Sequence, residues 1–382
     1  MSTVSFLEKK EHKKFLALLD HAFPGDKPFV KSWPHTCRPE LIRLEDHLLI
    51  KDGKKLASHI GIFPLECKVN GSILNIAGIG LVATHTDYRG KGHMNDLLLK
   101  SIPLMKERGY DISWLGGDRK RYGNFGWENG GRATVFNVTP RYLGKCADYK
   151  IVPYKGEPKY CALLSKLHKS EDFGLKRGAN LDKMLFSRIR RNTYLALERK
   201  KIVSYLTLYS GKGKVRILEC GGSLDGITAL MKYAFETLKY ESLAATTPCF
   251  KNRYKDYFLK CSAGWTDEAN WGGMIKILNL GSTLRKFTGQ MRRKAKAFGL
   301  TGKHAVTLVI KESGEQATLE AGKSVRVTKK AAKVKIILNE RDMVRLLFPE
   351  SKPSDWMDLP KGAAFLDVLF PLDYFMWPLE TI

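Results

Sequence analysis

The stretch Gly78-Ile79-Gly80-Leu81-Val82-Ala83-Thr84-His85-Thr86-Asp87-Tyr88-Arg89-Gly90-Lys91-Gly92-His93-Met94-Asn95 decides the fold. Its first half is apolar, and from Asp87 to Gly92 it turns dense in glycine and charge. Beyond it Met94, Leu97, Leu98, Ile102 and Met105 recur at helical spacing, until Gly109 stops the run before a short apolar strand, Ile112 to Leu115. A buried strand therefore feeds a tight turn that opens a helix. In that arrangement free backbone N–H groups and the helix dipole converge on one point, which makes an anion site. The pattern is neither a P-loop, since GxxxxGK[ST] is missing, nor GxGxxG. It reads R-x-x-G, carried by Arg89, Gly90, Lys91 and Gly92.

Upstream, Asp52-Gly53 between Leu48–Lys51 and Leu56–Phe63 signals a hairpin, and Asn70-Gly71 between Ile60–Lys68 and Ile73–Thr84 signals another. Downstream, a similar grammar returns from about residue 180. Strands are expected over Tyr194–Glu198, Val203–Tyr209 and Val215–Glu219, with Gly211-Lys212-Gly213 as a turn and a helix over Leu224–Leu238. Gly221-Gly222 precedes that helix, but no Arg-x-x-Gly element accompanies it. The last third differs: a basic helix over Thr283–Phe298, short strands over Ala305–Ile310, Gln316–Leu319, Ser324–Val327 and Val334–Leu338, then a helix over Arg341–Leu347 capped by Asn339. The expected boundaries fall near 150 and 285, and 382 residues are enough for two or three domains.

The chain has 65 Lys+Arg against 39 Asp+Glu, a net charge of +26, so a polyanionic ligand or surface is expected somewhere. The excess is +8 over residues 1–150, +13 over 151–290 and +5 over 291–382, and no run of five like charges marks a basic arm. Hydrophobic residues at 43% and charged residues at 27% exclude a disordered or collagenous chain. The seven cysteines are odd in number, scattered and never paired as CxxC, which suits reduced thiols in a cytoplasm. The longest apolar stretch, Ile73 to Ala83, falls well short of the roughly 18 residues of a membrane span, so a protein without a membrane partner is expected. The histidines show no HExxH spacing, and no metal is expected. The clusters Arg188, Arg190, Arg191 and Arg292, Arg293, Lys294, Lys296 read as solvated helix faces, since no aromatic interleaving marks nucleic-acid contact.

The Arg89–Asn95 turn, taken with the strand before it, resembles the pyrophosphate-binding loop of GNAT acetyltransferases. A second signal, Trp114-Leu-Gly-Gly-Asp-Arg-Lys-Arg-Tyr-Gly-Asn-Phe-Gly-Trp-Glu128, carries the Y-x-x-x-G-[FW] pattern of that family on Tyr122, Gly126 and Trp127. One departure is Met94, which stands where the family often has Gly or Ala. The chain as a whole resembles the enhanced intracellular survival (Eis) type of acetyltransferase. That resemblance implies a mixed α/β (α+β) fold with GNAT-type sheets in two tandem domains: a GNAT domain over 1–150 that binds acetyl-CoA, a GNAT-like domain over 151–285 without the cofactor loop, and a sterol-carrier-like α+β domain over 286–382.

The resemblance implies roles for particular residues. Val82, Ala83 and Thr84 offer backbone groups to the acetyl and pantetheine arm, while Gly90, Lys91, Gly92, His93, Met94 and Asn95 surround the pyrophosphate beside the cationic Arg89. Gly117 and Asp118 line the far side of the cofactor. Tyr122 falls where the family places its general acid, and a Tyr hydroxyl with an ordinary pKa of about 10 is protonated at neutral pH. The base is assigned by the resemblance to the terminal carboxylate of Ile382; Glu128 and His85 are alternatives by chemistry. The apolar Phe375, Met376, Trp377 and Leu379 suit a terminal tail that docks. The expected activity is acetyl transfer from acetyl-CoA to a small-molecule or peptidyl amine by direct attack, with no cysteine nucleophile. The competing reading is a degenerate scaffold that binds acyl-CoA, lipid or nucleic acid without turnover. Related proteins often assemble, so further copies of the chain are an expected partner.

Overall fold

A computed structural model describes residues 3–69, 71–211, 214–269, 271 and 273–382. Asn70 of one expected turn and Lys212-Gly213 of another lie outside the described residues. The architecture is mixed α/β, and the described residues form two seven-stranded sheets and one four-stranded sheet. The chain divides into two compact units built from non-contiguous stretches: residues 1–11, 44–132 and 269–374 form one, and 12–43, 133–268 and 375–382 the other.

The first unit opens with strands β1 (Val4–Phe6), β2 (His47–Asp52), β3 (Lys55–Val69), β4 (Ser72–Thr84), β5 (Ile112–Leu115) and β6 (Glu128–Asn129). Strands β1 to β4 pair antiparallel in sequence order, and the β2–β3 and β3–β4 hairpins are those the apolar runs and their Gly-containing turns predict. Between β4 and β5 runs the helix His93–Glu107, so β5 returns parallel to β4. Met274–Ile277 then inserts between β5 and β6 from 140 residues or more along the chain, pairing antiparallel with both. The helix presents Leu97, Leu98, Ser101 and Met105 inward, and these leucines and Met105 join Ile60, Ile62, Ile79, Leu115 and the fully buried Trp127 in one apolar cluster.

The same unit holds the four-stranded sheet, in the order Arg326–Thr328, Gln316–Ala321, His304–Ile310, Lys335–Leu338. The basic helix expected over Thr283–Phe298 is two helices, Leu280–Lys286 and Thr288–Ala297, separated at the buried Phe287. Asn339 caps the helix Glu340–Leu347, its side chain accepting from the Asp342 N–H at 2.8 Å.

The second unit repeats the strand–helix–strand plan. Lys214–Gly222 leads through the N-cap Ser223 into the helix Leu224–Glu236, and Leu243–Pro248 returns parallel to the first strand. No glycine loop intervenes. Instead Gly222, at φ +97°, approaches the chain so closely that a Cβ there would stand 2.1 Å from the Val203 carbonyl oxygen.

Candidate active site

The pairing of β4 explains why its end can receive a ligand. Its parallel partner β5 meets it only from Ile76 to Gly78, opposite Ile112 to Trp114, and ends at Leu115. From Ile79 to Thr84 the flank of β4 away from β3 pairs with no strand among the described residues. On the other flank the His85 N–H donates to the Ala57 carbonyl at 3.0 Å, and the alternation of antiparallel pairs then points the backbone of Ala83 toward β3. The Ala83 carbonyl accordingly accepts from Ser58 Oγ at 2.9 Å, and the Ser58 and Thr84 hydroxyls meet at 2.8 Å. Val82 and Thr84 turn their backbone groups to the open flank.

The register of β3 against β4 shifts between His59 and Gly61, and Leu81 adopts φ +52°. A β-bulge therefore sits one residue before Val82. The Leu81 carbonyl accepts from His59 Nδ1 at 2.8 Å, and His59 Nε2 meets His47 Nδ1 at 2.9 Å.

The anion loop follows. Thr86–Tyr88 is one short 3-10 turn, with the His85 side chain accepting from the Asp87 N–H, so His85 acts as a turn residue. Tyr88 is buried and donates to Asp52 Oδ2 at 2.9 Å, pinning the turn to β2. Gly90 and Gly92 both adopt φ +78° with nothing within 4 Å of a Cβ, an open left-handed backbone that glycine alone takes without strain. The helix starts at His93 from an uncapped Gly92, and its first i to i−4 bond is donated by Asp96. Its opening amides thus lack a side-chain cap and suit an anion. Arg89 and Lys91 are exposed, the Lys91 ammonium lying 4.8 Å from the centre of the Tyr88 ring, and Asn95 is exposed as well. Met94 packs with Val82 against the apolar cluster, leaving the backbone to face the ligand.

Past β5, Asp118 caps the short helix Arg119–Tyr122 by accepting from the Arg121 N–H at 2.8 Å. Tyr122 belongs to the same cluster that Val82 and Met94 pack against. Its ring lies over exposed Gly117, where a Cβ would stand 2.3 Å from Tyr122 Cε2. Only glycine leaves the ring its place. Tyr122 is 6% exposed, and burial raises its pKa despite the opposing Arg121 guanidinium, so the phenol stays protonated through neutral pH.

Glu128 is held differently. Arg119 forks onto both its oxygens at 2.5 and 2.8 Å, and Arg341 reaches Oε2 at 2.6 Å. Burial pushes its pKa up, but the two guanidinium groups outweigh that and hold it below the ordinary carboxylate range. A carboxylate so clamped is a weak proton acceptor. Cavities of about 440 and 500 Å³ flank it, both lined by Arg119 and Glu128. A larger cavity, about 650 Å³, belongs to the four-stranded sheet around His304 and Arg326.

Ile382 lies in the second unit, on a tail held from within that unit. Glu380 accepts from the Trp377 and Leu175 N–H groups at 2.8 and 3.0 Å, and Arg177 Nη1 stands 3.3 Å from it. His35 Nε2 meets the Thr381 carbonyl at 3.0 Å. Among the described residues His168, Glu219 and Glu380 converge closely enough to hold a metal ion, and the Arg177 guanidinium beside them forks onto Glu219 at 2.7 and 2.9 Å. Tyr205 donates to the same carboxylate at 2.6 Å. The cluster is a buried anchor for the tail.

The sequence of the first third agrees with this geometry. Residues 3–130 match the family model of the Acetyltransferase (GNAT) domain. That segment carries a GNAT domain. No curated protein matches the chain. Solved structures share its fold end to end: a conserved protein from Enterococcus faecalis described as a probable N-acyltransferase has a TM-score of 0.71 at 16% identity, over 98% of this chain and 100% of that one. A GCN5-related N-acetyltransferase from Anabaena variabilis has a TM-score of 0.68 at 16% identity over the same shares. Eis1 from Mycobacterium abscessus has a TM-score of 0.66 at 11% identity over 100% of both chains. In residues 3–130, sequence reasoning placed the Arg89–Gly92 turn between a strand and a helix and Tyr122 after β5, which is where the structure has them. It missed the His47–His59 pair, the Leu81 bulge and the Arg341 clamp, whose only sequence signals are two histidines inside apolar strands.

Proposed function

We propose that the protein transfers the acetyl group of acetyl-CoA to a primary amine in a ternary complex. The observation that carries this reading is the open flank of β4 running into an uncapped helix start through two left-handed glycines. A strand edge suits the amides of a pantetheine arm, and the loop with Arg89 and Lys91 suits a pyrophosphate. The amine nitrogen attacks the thioester carbonyl, the carbon–sulfur bond breaks, and the departing thiolate takes the Tyr122 phenolic proton. The Val82 amide stabilises the developing oxyanion. The proton lost by the amine goes to the terminal carboxylate of Ile382, the group the Eis-type resemblance names; Glu128 is disfavoured by its two arginines. Gly117 and Asp118 support the acid from below, the first by leaving room and the second by capping its helix. The segment from about residue 286, with its four-stranded sheet, is read as sterol-carrier-like and is given no part in the chemistry.

Full-length protein with acetyl-CoA and a panel of polyamines, aminoglycosides and peptides should release CoA thiol in step with acetylated amine, quantified by mass spectrometry. Acetyl-CoA binding without CoA release toward any amine of the panel would favour a binding protein instead.

A further inference from the structure

The buried His47–His59 pair serves no role in that chemistry, yet it ends on the backbone beside the reacting group. His59 Nδ1 lies 2.8 Å from the Leu81 carbonyl oxygen. A carbonyl only accepts, so Nδ1 carries the hydrogen and Nε2 of a neutral ring is the acceptor. His47 Nδ1, 2.9 Å from that Nε2, must then be the donor. The order of protons along His47, His59 and Leu81 is fixed by this logic. Burial first, and the neighbouring His47 second, press the His59 pKa well below its ordinary value, so the ring keeps its neutral form.

What the pair holds is a strained residue. Leu81 at φ +52° occupies the left-handed region, where a Cβ crowds the following carbonyl oxygen. The Leu81–Val82 peptide is planar and trans, so its carbonyl and its N–H point in opposite directions. Drawing the Leu81 carbonyl to His59, on β3, drives the Val82 N–H away from β3. That is the flank which β5 leaves open beyond Gly78. We propose that His59, oriented by His47, is a positioning residue that aims the Val82 amide at the thioester oxygen. This rests on the acyl-transfer reading above.

Two full-length variants test it: His59→Leu removes the donor, and His59→Asn keeps an N–H near the place of Nδ1. Three quantities are read: acetyl-CoA affinity by calorimetry, kcat, and the infrared stretch of bound acetyl-CoA labelled with carbon-13 at its carbonyl. In His59→Leu the stretch should move toward its value in free acetyl-CoA and kcat should fall about 10²-fold, the order of one lost oxyanion donor. Affinity should change less than about threefold, and His59→Asn should recover most of both losses. A carbonyl stretch unchanged from wild type in His59→Leu, or equal losses in both variants, overturns the positioning role alone. If His59→Leu does not fold, His47→Phe, which removes the donor that orients the His59 ring, decides: a stretch moved toward the free value upholds the role and a wild-type stretch overturns it. Wild-type protein that binds no acetyl-CoA overturns the acyl-transfer reading and this proposal with it.

Discussion

Tyr122 and Glu128 stand six residues apart and are driven to opposite protonation states by their surroundings. Tyr122 packs into an apolar cluster beside a glycine, and burial keeps its proton on. Glu128 is buried too, but between Arg119 and Arg341, and is kept ionised. The pair can therefore be separated by kinetics. Tyr122→Phe should lower kcat about 10²-fold or more while leaving acetyl-CoA affinity within about twofold, as expected when a general acid is lost. Because the Tyr122 pKa is raised above 10.0, wild-type turnover should rise with pH as the amine loses its proton and show no alkaline fall below about pH 10. Stopped assays over pH 6–10 check both; an alkaline limb in that window that persists in Tyr122→Phe would assign the acid elsewhere. The resemblance names Tyr122 as the candidate acid, but its protonation state depends on burial, which one residue's neighbours in sequence do not set.

The unit of function at the next scale is the strand, loop and helix from Ser72 to Glu107. Its parts act by different physics. Arg89 and Lys91 are exposed, so in the proposed site they act through charge, whereas Gly92 acts there through its left-handed backbone. Replacing both Arg89 and Lys91 by alanine should weaken CoA binding about tenfold at 20 mM salt and much less at 500 mM, because screening shortens the reach of exposed charge. Gly92→Ala should weaken binding at both salt concentrations, since its cost is the left-handed φ of about 1–2 kcal/mol and not a Coulomb term. Calorimetric titrations at the two ionic strengths distinguish them; a salt-independent loss in the charge variant would place the phosphates away from this loop. This element was readable because it is contiguous and each feature is local. The bulge inside it was not, because Leu81 carries no sequence mark of a positive φ.

At the scale of the molecule, the terminal tail is the feature with most at stake. Glu380 is buried against Arg177, whose guanidinium also neutralises Glu219 and stands 2.8 Å from Asp182. Burial dominates the Glu380 pKa and raises it, while Arg177 and His168 oppose that rise. The last residues are thus tied by hydrogen bonds and buried charge, and the anchor lies upstream of the terminal carboxylate. Adding Gly-Ser after Ile382 should therefore leave the melting temperature within about 2 °C and the CoA affinity unchanged, but lower kcat by about 10²-fold, the scale of a lost general base. Calorimetric melting with parallel kinetics checks this; full turnover in the extended chain would return the base to another group.

What the amino-acid order determined by itself is what short-range pattern carries: the hairpins of the first sheet, the glycine-rich turn at Arg89–Gly92 and the helix that follows, while the resemblance supplied the mixed α/β class and the Tyr122 turn. Periodicity and turn chemistry act over a few residues, so they can be read without coordinates. Only the tertiary structure decided that Met274–Ile277 enters the first sheet between β5 and β6, that Arg341 clamps Glu128, and that Arg177 meets both Glu219 and Glu380. These depend on side chains brought together from sequence separations of 42 to 213 residues. The net charge of +13 over residues 151–290 is not accounted for by the Arg89–Gly92 loop: the buried Arg177 and the exposed Arg253 are each matched by carboxylates, while the buried Arg188 donates to the Ser32 and Leu379 carbonyls. Long-range pairing follows from the packing of whole sheets, and local pattern holds no record of it.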